Sequence, residues 1–257
     1  MYKTINRFIG AALIAAALPT LAVAQDNQFD GLYAGAGVGY AWQEVSKDYL
    51  TSVKIAGIKR SRENSVNDDQ NLGLGQIFIG YGLSRGMLYF GTELGLNVYK
   101  DNSSAERVYP NQNLAVGLTP KVVTFDVTPK YGFQLSFLPG LYLTPSTLVY
   151  GRLGGALTRY DTEAKFNVNR AVSPEAYDTK NSDDNWVPEL VVGAGVRQKI
   201  WESLSARLDY TYTYSDQFSG APNTLGLPAN DSRYYKVHND STRVKANNLA
   251  LSIIYSF

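Results

Sequence analysis

The chain has 257 residues, and its 24 Lys and Arg against 23 Asp and Glu give a formal net charge of +1. This near balance argues against a nucleic-acid-binding protein, which usually carries a basic excess. The sequence has no Cys and one His. It therefore excludes a disulfide framework, a thiolate nucleophile, a Cys-based zinc site and any site with two His ligands. We expect no metal and no other cofactor.

The first 24 residues have the features of a secretory signal peptide. Two basic residues precede an apolar stretch over residues 8–17, and the segment ends in Ala-Val-Ala. Small residues at these positions match a cleavage site, and the apolar stretch is shorter than the ~20 residues of a spanning helix. We expect cleavage after Ala24, which leaves residues 25–257 as an exported protein. An N-terminal membrane anchor is the less favoured alternative.

Eight stretches of the remaining sequence alternate between apolar residues and small or polar ones. In the first of them, every second residue from Leu32 to Trp42 is apolar or aromatic. A period of two indicates a β-strand with one apolar face. We predict strands over residues 29–43, 71–83, 87–99, 122–143, 148–160, 186–200, 204–215 and 242–257.

The connections between these strands alternate in length. The short ones cover residues 84–86, 144–147 and 201–203, and the long polar ones cover about 44–70, 100–121, 161–185 and 216–241. Short turns on one side and long loops on the other are typical of transmembrane β-barrels. Each strand also supplies the ~9–11 residues that a tilted membrane strand needs. The fold class is therefore all-β: an eight-stranded antiparallel transmembrane barrel with short periplasmic turns and four long extracellular loops.

Two prolines, Pro129 and Pro139, lie within the predicted fourth strand. Proline removes a donor from the hydrogen-bond ladder, so it needs a special position in a sheet. We expect a bulge or bend at residues 139–140, near the periplasmic end. A turn there, with shifted strand boundaries, is the alternative.

The last strand carries the most specific signal in the chain. Its apolar residues alternate up to Tyr255 and Phe257, the final residue. A final amphipathic strand that ends in Phe resembles the C-terminal signal of bacterial outer-membrane barrels. Tyr255 and Phe257 are therefore candidate contacts of the barrel-assembly machinery.

Three further segments support this resemblance: residues 32–40 (LYAGAGVGY), 147–155 (TLVYGRLGG) and 205–210 (SARLDY). Together with the last strand they resemble the small eight-stranded outer-membrane barrel family that includes OmpA-like and opacity-protein-like barrels. The resemblance implies the outer membrane of a Gram-negative bacterium. It also implies loops that meet host or environmental ligands. Because the sequence ends at the last predicted strand, we expect no periplasmic peptidoglycan-binding domain of the kind found in full OmpA-type proteins.

The alternation assigns a neutral set of charges to the barrel interior: Glu93, Asp126, Lys130, Arg152, Glu189, Arg197, Arg207 and Asp209. Five of these lie at similar low heights and form the predicted lumen charge cluster: Glu93, Arg152, Arg197, Arg207 and Asp209. Charges inside a narrow barrel need partners to offset their desolvation. We predict a salt-bridged plug, because eight strands leave room only for side chains. A narrow gated pore is the alternative.

Three basic residues point outward near the loop ends of their strands: Arg159, Arg243 and Lys245. There they are placed to meet lipopolysaccharide phosphates as charge-assisted pairs. Ordinary solvated charges at the rim are the alternative. The barrel's other expected partner is outer-membrane lipid.

The first long connection is balanced in charge. It holds Lys47, Lys54, Lys59, Arg60 and Arg62 against Glu44, Asp48, Glu63, Asp68 and Asp69. The fourth contains Tyr234 and Tyr235, and exposed Tyr is favoured at interfaces. Solvated or strand-extending loops are the alternative to a binding role.

The sequence offers one candidate catalytic group, His238, with Asp240 and Ser241 nearby. Neighbours in a loop need not converge on one site, and we expect no enzymatic activity. The leading hypothesis is a structural and surface-interaction protein, adhesin-like, that acts through its extracellular loops. The alternative is a small porin-like channel for ions or small solutes. A lipid-modifying enzyme built on His238 is a weaker third hypothesis.

Overall fold

Eight antiparallel strands close into one barrel, in which each strand pairs with the next and the last with the first. The computed structural model describes residues 28–55, 58–101, 118–170, 173–218 and 234–257. The strands are β1 (Gly31–Ile55), β2 (Ile58–Arg85), β3 (Leu88–Asp101), β4 (Leu118–Thr144), β5 (Thr147–Arg170), β6 (Ser173–Lys199), β7 (Leu204–Ser215) and β8 (Tyr234–Ser256). The described residues contain no helix that is long and apolar enough to cross a membrane. The predicted fold class is confirmed.

The stagger of the strands sets the width of the barrel. Following Cα partners once around the barrel from Ala34 returns to β1 at Glu44, ten residues further along. With eight strands, this stagger corresponds to a strand tilt of about 40° and a backbone radius of about 8 Å. Such an interior accommodates side chains rather than an open aqueous channel.

The outer surface carries a continuous apolar belt. One outward residue near the middle of each strand is 46% to 71% exposed: Val38, Ile77, Leu94, Leu135, Leu153, Leu190, Leu208 and Leu251. Aromatic residues border the belt below at Tyr81, Phe90, Tyr255 and Phe257, and above at Tyr40, Trp42 and Trp186. Among the described residues, no charged side chain faces outward between these two girdles. A belt of this kind matches the hydrocarbon core of a bilayer.

The inward residues form layers along the barrel axis. Near the periplasmic turns, an apolar cluster closes the lumen with Phe29, Tyr89, Leu138, Tyr142, Leu148 and Tyr150. Near the opposite end, a second cluster contains Val45, Val127, Tyr160, Val187 and Val244, with Phe218 packed against it. Most charged residues of the lumen lie between these two apolar layers, whereas the buried Lys47 and Asp68 lie at or above the level of Val45.

Two of the four predicted loops are mostly strand. β1 and β2 remain paired up to Ile55 and Ile58, so most of residues 44–70 is a continuous hairpin. β5 and β6 remain paired up to Arg170 and Ser173, where residues 161–185 were predicted as loop. The sequence underestimated these strands because both faces of a hairpin in water are polar, which removes the apolar alternation. Residues 102–117 and 219–233 lie outside the described residues.

The bulge of the fourth strand is not at residues 139–140. The pairing of β4 with β3 and with β5 keeps one register across these residues. The register shifts instead between Pro129 and Tyr131, opposite Tyr160 and Arg159. Pro129 has no N–H, so one hydrogen bond of the ladder is missing at this position in any case. A bulge is tolerated where such a hydrogen bond is absent.

This bulge changes which residues of β4 face the lumen. Before it, odd-numbered residues such as Val127 are buried, whereas after it even-numbered residues such as Gly132 are buried. Lys130 lies at the bulge and pairs on the exposed side with Asp161, with 2.9 Å between Nζ and Oδ2. The prediction that Lys130 points into the lumen is therefore wrong. The side chain of Asp126 lies outside the described residues.

Candidate functional site

Four of the five residues of the predicted lumen charge cluster form one compact group, which we call the lumen quartet. Glu93 comes from β3, Arg152 from β5, and Arg207 and Asp209 from β7. Each of the four residues is 2% to 4% exposed. They meet because the stagger of the barrel brings these inward positions to nearly the same height.

In the quartet, each arginine contacts both acids. Arg152 Nη1 lies 2.8 Å from Glu93 Oε1, and its Nη2 lies 3.3 Å from Asp209 Oδ1. Arg207 Nη1 lies 2.5 Å from Glu93 Oε2, and its Nε lies 2.6 Å from Asp209 Oδ2. The quartet is therefore a closed ring of ion pairs with no net charge. A balanced ring offsets the desolvation that any one of these charges would suffer alone.

Neutral side chains hold the quartet in place. Tyr150 donates a hydrogen bond to Asp209 Oδ1, and Arg152 Nη1 donates to Ser136 Oγ at 3.3 Å. Phe78 packs its ring against the Arg207 guanidinium, with 3.8 Å between the ring centroid and Cζ. These three neutral residues lie on β2, β4 and β5, and the quartet itself comes from β3, β5 and β7. The quartet thus ties opposite walls of the barrel together across the lumen.

Arg197, the fifth predicted member, lies in the lumen but not in the ion-pair ring. Its Nε and Nη2 donate hydrogen bonds of 2.8 Å to Ser205 and Ser256. Its guanidinium lies 4.7 Å and 4.8 Å from the ring centroids of Phe29 and Tyr33. Within the described part of the chain it forms no ion pair with an acid. Its expected place in the salt-bridged cluster is therefore wrong, because its height places it one layer below, among aromatic rings that stabilise a cation by cation–π contact.

Glu189 is a second buried charge that lies apart from the quartet. It accepts hydrogen bonds from the Tyr160 hydroxyl at 2.5 Å and from the Thr158 hydroxyl at 2.9 Å. These contacts place it beneath the upper apolar cluster, which includes Tyr160. Glu189 is therefore a buried acid between the quartet and this cluster.

At the outer rim, Arg159 already has protein partners. Its Nη2 forms an ion pair with Asp184, and its Nη1 donates to the Tyr131 hydroxyl at 3.0 Å. The other two predicted lipopolysaccharide contacts, Arg243 and Lys245, lie on β8 opposite Ser46 and Glu44 of β1. Their side chains are half-buried, and in the described part of the molecule neither forms an ion pair. Arg159 is therefore the least available of the three for a lipid phosphate.

Beyond the rim, two three-stranded sheets continue upward from the barrel. The first extension comprises residues 46–55 of β1, 58–67 of β2 and 234–243 of β8. The second extension comprises residues 118–128 of β4, 161–170 of β5 and 173–184 of β6. Both extensions start just above outward basic residues of the rim, Lys245 on β8 and Arg159 on β5.

Each extension has a strand that continues beyond the start of its pairing with the next strand. Among the described residues, the pairing of β2 with β3 begins only at Leu72 and Asp101. The pairing of β6 with β7 begins only at Glu189 and Ser215. β2 and β6 are therefore the outer strands of the two extensions.

The family follows from a comparison with family models. Residues 26–220 match the model of the OmpA-like transmembrane domain. The chain belongs to this family. The resemblance inferred from the sequence is confirmed, and the protein is an outer-membrane β-barrel of the OmpA-like type. No curated protein matches the chain.

Solved structures of other outer-membrane proteins are similar to this OmpA-like barrel. Ail, the attachment invasion locus protein of Yersinia pestis, has 14% identity and a TM-score of 0.35, over 88% of this chain and 99% of that one. Neisserial surface protein A has 13% identity and a TM-score of 0.36, over 85% of this chain and 97% of that one. The outer-membrane protease OmpT from Escherichia coli has 11% identity and a TM-score of 0.40, over 94% of this chain and 100% of that one. Similarity at this level carries no information on what the chain binds.

The predicted barrel-assembly residues lie at the seam of the OmpA-like barrel. The rings of Tyr255 and Phe257 contact each other edge to face with 5.2 Å between centroids, and both residues are outward and exposed. The Phe257 N–H donates to the Leu32 carbonyl of β1 at 3.0 Å. The final residue thus takes part in closing the barrel, where β8 meets β1.

The candidate catalytic residues do not form a recognisable site in the described part of the structure. The backbone of His238 pairs with Leu50, and its side chain lies outside the described residues. Ser241 donates its hydroxyl to Asp48 Oδ2 at 3.4 Å. Asp240 lies at a register shift of β8. The described residues contain no group of three or more His, Cys, Asp or Glu suited to a metal ion.

Proposed function

We propose that this OmpA-like barrel is a non-enzymatic surface-interaction protein, adhesin-like, that binds a host or environmental ligand through its first extension. The observation that carries the proposal is the continuation of β1, β2 and β8 as one sheet beyond the rim. From Glu44 to Lys54 this sheet rises about 25 Å at the tilt of the barrel. It ends beside Tyr234 and Tyr235, residues of a type favoured at interfaces.

In this proposal the barrel is an anchor rather than a channel. The lumen quartet and the two apolar clusters support a plug, because they occupy successive levels of an interior about 8 Å in backbone radius. The narrow pore, the alternative from the sequence, would require the ion pairs of Glu93 with Arg152 and Arg207 to separate. Separation would leave buried charges without partners, which is costly.

The remaining partners follow from the position of the barrel in the membrane. We propose export by cleavage after Ala24, and recognition of Tyr255 and Phe257 by the barrel-assembly machinery. Arg243 and Lys245 are the proposed contacts with lipopolysaccharide, since Arg159 would first have to leave Asp184.

The test shortens one extension at a time. Replacing residues 48–65 by an Asn-Gly turn joins Lys47 to Val66, which are partners in the hairpin, and removes the tip without changing the register below. The matched control replaces residues 163–182 and joins Thr162 to Asp183 in the second extension. Bacteria expressing each variant are assayed for binding to host cells and to extracellular matrix.

We expect the first shortening to abolish binding and the second to leave it largely intact. Heat-modifiable gel mobility checks that each variant still folds into a barrel. Unchanged binding by the folded first-extension variant would refute the proposal.

A further inference from the structure

Four charged side chains form a second neutral group, which lies on the outside of the barrel at the rim. Lys130 Nζ lies 2.9 Å from Asp161 Oδ2, and Arg159 Nη2 forms an ion pair with Asp184. Asp161 and Asp184 are direct cross-strand partners of β5 and β6. We call these four residues the outer-rim group. Each of the four side chains keeps 37% to 47% of its surface exposed, so each can contact a further ligand.

The bulge in β4 places the first of these charges on the outside. The register shifts between Pro129 and Tyr131 and leaves Lys130 exposed, whereas the alternation of the residues after the bulge would point it into the lumen. Bulges are frequent at barrel rims, where they re-aim a side chain. Two acids directly opposite each other are unfavourable in a sheet. Lys130 and Arg159 supply the compensating positive charge for the two acids.

The two bases lie closer to the membrane than the two acids. Arg159 pairs with Trp186, and Lys130 lies beside this level at the bulge. Asp161 and Asp184 lie two residues farther along their strands, away from the apolar belt. Two residues span about 6.8 Å of strand, which is about 5 Å along the barrel axis at a tilt of about 40°. A ligand at this rim therefore meets positive charge near the membrane and negative charge farther out.

Three aromatic rings border the outer-rim group on its membrane side. Trp186 contacts Tyr131 edge to face, with 5.5 Å between ring centroids, and stacks on Phe133 at 6.1 Å. The Tyr131 hydroxyl accepts a hydrogen bond of 3.0 Å from Arg159 Nη1. Aromatic girdles of membrane barrels lie at the level of the lipid headgroups. The outer-rim group is therefore placed to contact headgroups.

The arrangement favours a headgroup that carries both charges over one that carries a single charge. A lone phosphate would attract the two bases but would be repelled by the two acids, and it would have to displace Asp184 from Arg159. A lone cation would be repelled by the two bases in the same way. A zwitterion can replace both ion pairs at once, because its phosphate contacts the bases while its ammonium contacts the acids.

We propose that the outer-rim group binds the phosphoethanolamine headgroup of a membrane lipid. In this headgroup the phosphate lies next to the membrane surface, and a short ethylene link separates it from a primary ammonium farther out. The order matches the bases below and the acids above. The N–H bonds of the ammonium can donate to the carboxylates of Asp161 and Asp184. The inference does not depend on the ligand proposed for the first extension.

The experiment measures lipid binding to the folded protein in detergent micelles by native mass spectrometry. The probes are phosphatidylethanolamine, phosphatidylglycerol and N-acetylphosphatidylethanolamine with identical acyl chains. Phosphatidylglycerol keeps the phosphate without an ammonium, and N-acetylation converts the ammonium into a neutral amide.

The test variant carries Asp161→Asn with Asp184→Asn, and the matched control carries Glu44→Gln with Asp69→Asn. Both remove two directly opposed acids near the rim. A third variant, Lys130→Gln, removes one of the proposed phosphate contacts. Heat-modifiable gel mobility checks that each variant folds into a barrel.

We expect wild-type protein to bind phosphatidylethanolamine about tenfold more tightly than either other lipid, because two exposed charge contacts contribute a factor of about three each. The variant without Asp161 and Asp184 should lose this preference, since it no longer attracts the ammonium or repels an anion. The control variant should keep the wild-type preference within about twofold. Lys130→Gln should weaken the binding of all three lipids by about threefold, because all three carry the phosphate.

Equal binding of the three lipids by wild-type protein would overturn the proposal, and so would a preference that survives the loss of Asp161 and Asp184. An equal loss of preference in the control variant would also overturn it, because the effect would then come from rim charge in general. Soluble O-phosphoethanolamine that binds as tightly as the lipid would overturn the assignment to a membrane lipid.

Discussion

Replacing Glu93 by Gln removes one of the two acids of the lumen quartet and leaves two buried arginines with a single acid. Glu93 contacts Arg152 at 2.8 Å and Arg207 at 2.5 Å. At the effective dielectric constant of about 20 that describes buried sites, two unit charges 4 Å apart attract by about 4 kcal/mol. The glutamine amide retains hydrogen-bond acceptance, which limits the loss. We expect a net destabilisation of about 3–5 kcal/mol, the usual cost of breaking a buried ion pair from one side.

A double-mutant cycle tests the same reasoning by restoring neutrality. Glu93→Gln combined with Arg152→Gln removes one acid and one base, so no buried charge is left in excess. We expect the double variant to be less destabilised than the sum of the two single variants by more than about 1 kcal/mol. Urea unfolding in lipid vesicles, followed by tryptophan fluorescence and by heat-modifiable mobility, measures each free energy of unfolding. A cost below about 1 kcal/mol for Glu93→Gln, typical of an exposed pair, would refute the ring of ion pairs.

Two further predictions concern packing inside the lumen. Arg197→Met should lower the free energy of unfolding by less than about 1 kcal/mol or raise it, because an apolar side chain replaces a buried charge that has no acidic partner among the described residues. A loss above about 3 kcal/mol in the same urea assay would contradict this assignment and indicate that Arg197 does pair with an acid. Gly154→Ala should lower the free energy of unfolding by about 1–3 kcal/mol through overpacking, since the added Cβ would lie 2.2 Å from the Leu135 carbonyl oxygen. Gly155→Ala is the neighbouring control, with its nearest atom at 3.6 Å, and equal effects of the two substitutions would contradict the assigned faces.

The period of two in the sequence predicted the barrel and, within the membrane-spanning part, the side that the charged lumen residues face. Glu93, Arg152, Arg207 and Asp209 are all inward as the alternation requires. This works because strands in a membrane must be apolar on the lipid side, which makes the pattern strict.

The errors in strand ends and residue sides arose where the strands leave the membrane and an apolar outer face is no longer required. Above the rim both faces of a strand are wetted, so the alternation disappears and β1 was predicted to end near residue 43 instead of Ile55. A bulge at Pro129 moved Lys130 to the outside, and one unpaired residue is enough to exchange the two faces.

The height of a residue along the barrel axis was harder to predict than the side of the strand on which it lies. Arg197 was grouped with the quartet because counting from the short turns ignores the stagger of the strands, which only the pairing register reveals. The placement of the charges in the first extension was hidden for the same reason. A charge sum over residues 44–70 is balanced, whereas the register places Lys54 beside Lys59 and adds Lys236 from a distant part of the sequence.

The account holds that the lumen is closed and that the protein acts through its first extension. Single-channel conductance of the refolded protein in a planar bilayer tests this most directly, with folding verified by heat-modifiable mobility. We predict a silent bilayer, because the quartet and both apolar clusters fill the lumen. Steady, reproducible openings that shift when Arg152 or Glu93 is neutralised would contradict the account and assign the lumen a transport role.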